Sequence, residues 1–370
     1  MSRYARKEVK QELKYLLWAS LYQVAFMKKG AHHVVKETVD YAKMEHGVHA
    51  AGFVNAVLRN FIRERKKGVI PLPGSTPSGH PGSDRQLAEA SSFPEWLVRR
   101  WRKQVGPEHI EKLLHALNTP PQFTLRVDES RISKDDAVRK LQGLNLKVWA
   151  GRFVQSALCV DRLMPLLHDS LFGDRTFAIQ DEASQLAVQA LRLAPGSIVL
   201  DACSGMGTKT AHMLHITPGI FVAAMDTNVR RLHLVDRRAA VLRGDVLRSP
   251  FKARVFDAIL LDPPCSSLGI VRKHPEIKWR RTEDDITAFG LQQYNMLVAV
   301  WDSLKVGGHL VYSVCSFEPQ ETIHVIERFK QVEKFTLENP LPFLFNKEYF
   351  VSLPHETEID GFFIARLKKL

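Results

Sequence analysis

Cysteine is scarce in this chain: only Cys159, Cys203, Cys265 and Cys315 occur in 370 residues, and no two of them stand in C-x-x-C spacing. That scarcity excludes a disulfide framework and a cysteine-built zinc site, so no metal is expected. Long apolar runs are missing too, none approaching the ~18 to 20 residues that a bilayer crossing takes. Met1 to Lys10 lacks the apolar stretch of a secretory signal. The expectation is a cytoplasmic protein with no membrane partner. Acidic residues are outnumbered, 40 against 52 lysines and arginines, for a formal charge of +12, which favours a polyanionic partner that charge alone does not name. No internal repeat is present, and the length predicts two or three units, each with its own core.

What is there divides along the chain. From Leu13 to Glu64 apolar residues recur at helix spacing, clearest at Val54, Val57, Leu58, Phe61 and Ile62, beside Arg59, Arg63 and Arg65. This predicts a small all-α unit over residues 1–67. Residues 68–84 carry Pro71, Pro73, Gly74, Pro77, Gly79, Pro81 and Gly82 and read as a linker. A second helical pattern through Trp96, Trp101, Ile110, Leu113 and Leu117 leads into an alternating Phe123, Leu125, Val127, predicting a small α+β connector over 85–174. Beyond Ala178 apolar strands alternate with helices, the signature of a parallel, doubly wound α/β sheet over 175–370. Its strands are placed at Ile198 to Asp201, Phe221 to Asp226, Val241 to Leu242, Ala258 to Asp262, Leu310 to Ser313 and Phe362 to Ala365.

The loop Asp201-Ala-Cys-Ser-Gly205-Met-Gly207-Thr-Lys209-Thr follows the first of these strands and opens a helix. An open parallel sheet binds its ligand there, with glycines letting backbone N–H groups approach closely. It is neither a dinucleotide fingerprint, since Thr210 stands at the third glycine, nor a Walker loop, since Cys203 stands at the upstream one. Asp226 ends the next strand and could hold ribose hydroxyls, which points to an adenosine-type ligand. Asp245 is placed to meet an adenine amino group or, alternatively, to cap a helix.

Two further strand ends carry thiols: Asp262-Pro-Pro-Cys265-Ser-Ser-Leu-Gly269 after the fourth strand and Tyr312-Ser-Val-Cys315-Ser316 after the fifth. Two cysteines at the carboxyl ends of adjacent strands should face one cleft. The chemistry that wants a thiol there is methylation of cytosine: carbon 5 is a poor nucleophile until a thiolate adds at carbon 6. Lys209 and Asp262 could then bind the base's polar edge and neutralise developing charge, as electrostatic or acid–base partners.

At these residues the sequence resembles the bacterial Sun/Fmu (RsmB-like) family of ribosomal RNA cytosine-C5 methyltransferases and, more broadly, the NSUN-like RNA 5-methylcytosine enzymes. The resemblance runs through Leu21-Tyr-Gln, Gly52-Phe-Val-Asn-Ala-Val-Leu-Arg59, Gln180-Asp-Glu-Ala-Ser184, the Asp201 loop, the block from Leu261 to Trp279, Val311-Tyr-Ser-Val-Cys-Ser316 and Asp360-Gly-Phe-Phe363. It implies a NusB-like helical RNA-binding domain, here shorter than a full bundle, a connector, and a Rossmann-like S-adenosylmethionine-dependent sheet of seven strands with one antiparallel. It makes Cys315 the attacking thiolate and Cys265 the cysteine that helps release product. Cofactor contacts would fall on Cys203, Ser204, Gly205, Met206, Gly207, Thr208 and Lys209, and on Asp226, Asp245 and Asp262. The implied substrate is a cytosine of small-subunit (16S) ribosomal RNA, displayed unstacked, and the chain is expected to act as a monomer. In place of the family's Ala-Ala-Pro-Gly-Gly-Lys the loop reads Ser204-Gly-Met-Gly-Thr-Lys209, and the segment from Asp226 to Asp245 is shorter than the family's.

Rival readings follow from the same residues. An amino-group methyltransferase would use an Asp-Pro-Pro-aromatic loop, but Cys265 occupies the aromatic position. A DNA-type cytosine methyltransferase would make Cys265 the nucleophile. A transfer RNA target, or a non-catalytic RNA-binding assembly factor that retains the sheet, also remains open.

Overall fold

The computed structural model describes residues 9–27, 29–67, 83–167 and 176–370. Most of the expected linker, 68–82, and the expected end of the connector near Asp174 lie outside the described residues. The chain forms two compact units, Met1–His80 and Pro81–Leu370. No described helix is long and apolar enough to cross a membrane.

In the first unit, helix Gln11–Ala25 buries Leu13 and Leu17. Helix Ala31–Lys66 buries Val34, Val35, Ala42, Ala51, Val54, Val57 and Leu58; of the residues that the sequence pattern marks, Val54, Val57 and Leu58 are buried and Phe61 and Ile62 half-buried. That second helix is broken at Gly47, whose φ of 84° is a left-handed value that costs a glycine little. Arg65 donates to the carbonyls of Val24 and Ala25 at 2.7 and 2.9 Å, satisfying acceptors that the end of the first helix leaves open.

The second unit begins with helices Asp84–Ser91, Glu95–Val105 and Ile110–Asn118. Their apolar faces, with Leu97, Trp101 and Leu113, pack against Leu268, Val271, Ile286 and Phe317 of the sheet domain, so these helices share a core with that domain. A four-stranded antiparallel sheet follows: β1 (Phe123–Val127), β2 (Val148–Ala150), β3 (Ala157–Val160) and β4 (Phe177–Ile179), in the order β2-β3-β1-β4. The alternating Phe123, Leu125 and Val127 lie on β1 as expected. Buried Glu182 ties this sheet down, accepting from the backbone N–H groups of Arg152 at 3.0 Å, Val154 at 2.7 Å and Phe153.

The large sheet comprises β5 (Ile198–Asp201), β6 (Phe221–Asp226), β7 (Ala240–Arg243), β8 (Phe256–Leu261), β9 (Leu304–Val314), β10 (Phe335–Glu338), β11 (Tyr349–Ser352) and β12 (Phe362–Lys369). The order is β10-β12-β9-β8-β5-β6-β7. β5 to β9 are mutually parallel, and β12 alone runs antiparallel to them. The expected architecture is thus present, with one refinement: the outermost position is divided. β10 pairs with the 366–369 half of β12 and β11 with the 362–365 half, giving eight strands. Asn339-Pro340-Leu341-Pro342 separates the two, and proline cannot continue a ladder. Residues Leu200, Ile259, Leu261, Leu310 and Tyr312 fill one face of the sheet, and Val199, Ala224, Leu260, Val311 and Ile364 the other. Burial on both faces is why these strands read as continuous apolar runs.

Candidate active site

Because β5, β6, β8 and β9 are parallel, their carboxyl ends open on one edge of the sheet, and each delivers a polar residue there: Asp201, Asp226, Asp262 and Cys315. They surround a cavity of about 460 Å³ whose lining includes Cys203, Ser204, Gly205, Thr208 and Lys209 together with Asp226, Asp262, Cys265 and Cys315. Most of the expected site residues are therefore brought together. Met206 and Gly207 instead line a larger neighbouring hollow of about 1160 Å³, beside Arg126, His215, Leu234 and Arg238. That hollow is lined by no thiol, whereas Cys203, Cys265 and Cys315 all line the smaller cavity. Asp245 lines neither: it is exposed, and its Oδ1 accepts from Leu247 N at 3.0 Å, the capping role weighed against adenine recognition, while Oδ2 has no hydrogen-bond partner among the described residues.

The cofactor loop is shaped by its backbone. Gly205 and Gly207 adopt φ values of 55° and 80°, both left-handed. A Cβ on Gly207 would come within 2.9 Å of the Val235 Cα, so glycine is required there by shape as well as by angle. Asp226 accepts from Gly205 N at 2.9 Å and Asn228 N at 2.8 Å, which fixes its carboxylate at the cavity wall. Below the loop Asp201 is buried, and burial pushes its carboxyl up to about 6 although Thr210 donates to it at 2.6 Å. Burial likewise raises the Cys203 thiol, so that it stays neutral.

An adenosine-type cofactor fits this cavity. Ser204 Oγ and both polar atoms of the Gln180 side chain are buried against it without a hydrogen-bond partner. Unpaired buried polar groups are costly, and a polar ligand would satisfy them. No group of three or more metal-ligating side chains occurs among the described residues.

The two thiols meet. Cys265 Sγ and Cys315 Sγ are 3.1 Å apart, and Ser267 Oγ lies 3.7 Å from the first and 3.6 Å from the second. Ser267 itself sits at a left-handed φ of 62°, a strained position for a residue with a Cβ and one typical of functional turns. The hydrogen bond from Cys265 pulls the Cys315 thiol below its ordinary range against the opposing effect of burial. The same bond, with burial, pushes the Cys265 thiol well up. Within this coupled pair Cys315 is thus the more readily ionised sulfur and Cys265 the one that holds its proton longer. Lys209 forms an ion pair with Asp262; burial alone would lower the lysine, but the carboxylate outweighs it and keeps the ammonium charged. Ser313 Oγ donates to the other oxygen of Asp262 at 3.1 Å.

Backbone contacts lock these motifs together. Gly269 N donates to Cys315 O at 3.1 Å and Gly361 N to Gly269 O at 2.9 Å. A Cβ on Gly269 would fall 2.0 Å from Gly361 O, so the turn after Cys265, the end of β9 and the Asp360-Gly361 corner meet through main chain as well as through side chains. Arg272 bonds Asp360 at 2.6 Å, and Lys273 bridges Asp181 and Asp360 at 2.5 and 2.6 Å. The sequence reading assigned no role to Gln180, Asp201, Ser267 or Glu321. For Gln180 and Glu321 the available signal was a polar residue beside a motif at a strand or turn end.

Comparison with known proteins agrees with the motif resemblance. Residues 188–368 match the family model for the 16S rRNA methyltransferase RsmB/F, residues 93–166 that for the RsmF/B-like ferredoxin-like domain, and residues 2–63 that for the NusB family. Ribosomal RNA small subunit methyltransferase B of Vibrio cholerae is 33% identical over 366 residues, covering 96% of this chain and 81% of the relative. The protein of the same name from Pseudomonas syringae pv. tomato is 34% identical over 333 residues, covering 87% and 72%. Among solved structures, NSun6 from Pyrococcus horikoshii with SFG superposes with a TM-score of 0.67 at 19% identity, covering 75% of this chain and 99% of that one. A methyltransferase homolog protein from the same organism gives 0.65 at 24%, covering 78% and 100%. These two likenesses establish shared fold.

Proposed function

The chain belongs to the 16S rRNA methyltransferase RsmB/F family, and from that premise we propose that it methylates carbon 5 of a cytosine in small-subunit ribosomal RNA, with Cys315 as covalent nucleophile. One observation carries the assignment of roles: two sulfurs lie 3.1 Å apart, with Cys315 the more readily ionised, in a cavity that also holds the Lys209–Asp262 pair and Asp226. S-adenosylmethionine, when bound, supplies an electrophilic methyl group; Asp226 would hold its ribose, and Ser204 with the Gly205 loop its remaining polar atoms. Cys315, kept as thiolate by the Cys265 hydrogen bond, adds to carbon 6 of the ring, making carbon 5 the nucleophile that takes the methyl. Lys209 and Asp262 hold the base's polar edge and balance the charge that builds on it.

Formation of the carbon–sulfur bond removes the charge on Cys315, and with it the main cause that holds the proton on Cys265. The Cys265 thiol then becomes easier to ionise; once it has given its proton to solvent, the thiolate takes the proton from carbon 5, and the electron pair left on the ring expels Cys315 as thiolate. The cytosine must leave its helical stack to enter, so a loop or otherwise unpaired segment of RNA is the expected target.

The test is methyl transfer from labelled S-adenosylmethionine to unmodified small-subunit rRNA. Cys315→Ala is expected to lower transfer about 10⁴-fold or more. Cys265→Ala is expected to accumulate a protein–RNA adduct that survives denaturation. Exchanged phenotypes would assign the attack to Cys265, and undiminished transfer by both variants would remove thiol chemistry from the enzyme.

A further inference from the structure

Behind the two cysteines lies a buried carboxylate that the reaction does not itself consume. Glu321 is fully buried, at the end of the turn Pro319–Glu321. Its Oε1 accepts from Ser266 N at 2.7 Å and from Gln293 Nε2 at 3.1 Å. Its Oε2 accepts from Ser266 Oγ at 2.5 Å and from Ser316 Oγ at 2.6 Å. Ser266 follows Cys265 directly and Ser316 follows Cys315 directly. We propose that Glu321 is the positioning residue of the thiol pair: one carboxylate grips the residue next to each cysteine and sets the spacing at which one sulfur attacks and the other receives the proton. The proposal rests on the thiol-addition reading above and extends it.

Three features argue against an ordinary buried acid. First, no lysine, arginine or histidine pairs with Glu321 among the described residues, so its four hydrogen bonds, all to neutral donors, are what keep a charge or a polar acid tolerable there. Second, its supports are themselves fixed. Gln293 also donates to Pro264 O at 2.9 Å, while the Tyr312 hydroxyl has Glu321 O at 2.6 Å and Gln293 Oε1 at 3.0 Å as the two acceptors within reach of its one proton. The helix Glu283–Trp301 presses on the turn so closely that a Cβ on Gly290 would fall 2.2 Å from Gln320 O. Third, the two bonded serines come from loops on different strands, β8 and β9, whose backbone ladder ends at Leu261 and Tyr312. Beyond that point the side chain of Glu321 replaces the missing ladder. Losing it frees each sulfur by a fraction of an ångström to an ångström, and misplacement on that scale costs about 100-fold in rate.

The experiment uses the full chain, small-subunit rRNA, and an RNA bearing 5-fluorocytosine, in which fluorine replaces the proton that must leave, so the enzyme stays bonded to the ring after methyl transfer. Glu321→Ala is expected to lower kcat about 100-fold with KM for RNA and affinity for S-adenosylmethionine within about twofold, and to slow adduct formation equally. Glu321→Gln keeps the shape and one acceptor oxygen, and is expected to recover part of the rate; it also serves if the alanine variant does not fold. A kcat per folded molecule within about twofold of wild type in both variants overturns the proposal, as does a loss seen only in KM. Absence of an adduct with the wild-type enzyme would instead overturn the thiol-addition reading, leaving the two failures distinguishable.

Discussion

On the β5–β6 side of the cleft the ligand-facing groups are placed by main chain: left-handed Gly205 and Gly207, and an Asp226 held by two backbone N–H groups. On the β8–β9 side they are placed by side chains: Glu321, Gln293, Ser266, Ser316 and Tyr312 form a buried hydrogen-bonded set under the thiols. The difference follows from what each side does. A cofactor needs a surface of donors and acceptors, which a glycine turn offers whatever the intervening side chains are, so the loop can read Ser-Gly-Met-Gly-Thr-Lys and keep its shape. A covalent step needs two sulfurs held to a fraction of an ångström, and only interlocked side chains hold positions that closely.

Lys209 is the strongest challenge to that division, because the cofactor loop carries it while its charge is spent on Asp262 of the other side. Lys209→Met is expected to lower kcat by about 10² to 10³, with a much smaller loss of S-adenosylmethionine affinity measured by calorimetry. Equal losses in both would place the lysine with the cofactor and move the boundary between the two sides. Gly207→Ala tests the main-chain side directly. Its Cβ would meet Val235 and its φ of 80° disfavours any side chain, so a stability loss of about 2 kcal/mol is expected from thermal unfolding, with weakened cofactor binding. Gly205→Ala, with open space around its Cβ, should cost about half as much. Similar losses from the two would mean that angle alone, not contact with Val235, makes the loop depend on glycine.

Legibility in the sequence follows the same line. β5 and β6 carry the bounds that their apolar runs and terminal aspartates predict, because strands buried on both faces have no reason to alternate. The cysteine pair was legible from topology, since parallel strands open on one edge. β10 and β11 were not placed: Phe335–Glu338 and Tyr349–Ser352 are four-residue edge segments, half buried, that resemble loops until β12 pairs with them. Glu321 was equally hidden. In Phe317-Glu-Pro-Gln-Glu321 two acids flank a proline, a pattern that reads as a solvated turn opening a helix, and only the packing of Glu283–Trp301 over it makes the carboxylate internal.

Asp245 gives the smallest expected effect and the finest division of the cofactor side. Unlike Asp226, which is bonded through both oxygens, it gives one oxygen to a cap at Leu247 N and has no partner for the other among the described residues, in an exposed setting. If the cap is its whole role, Asp245→Asn keeps an acceptor oxygen for Leu247 N, and S-adenosylmethionine affinity stays within about twofold. If the free oxygen receives the adenine amino group, the same change turns an acceptor into a donor facing a donor, and affinity falls about tenfold, as expected for one lost hydrogen bond. Asp226→Asn supplies the scale, because on the proposed reading it would lose an acceptor that the ribose hydroxyls use. The short segment between the two acids favours the first outcome: with a single helical turn, Val229–Leu232, after β6, the chain brings less structure over the adenine side to hold Asp245 against a ligand.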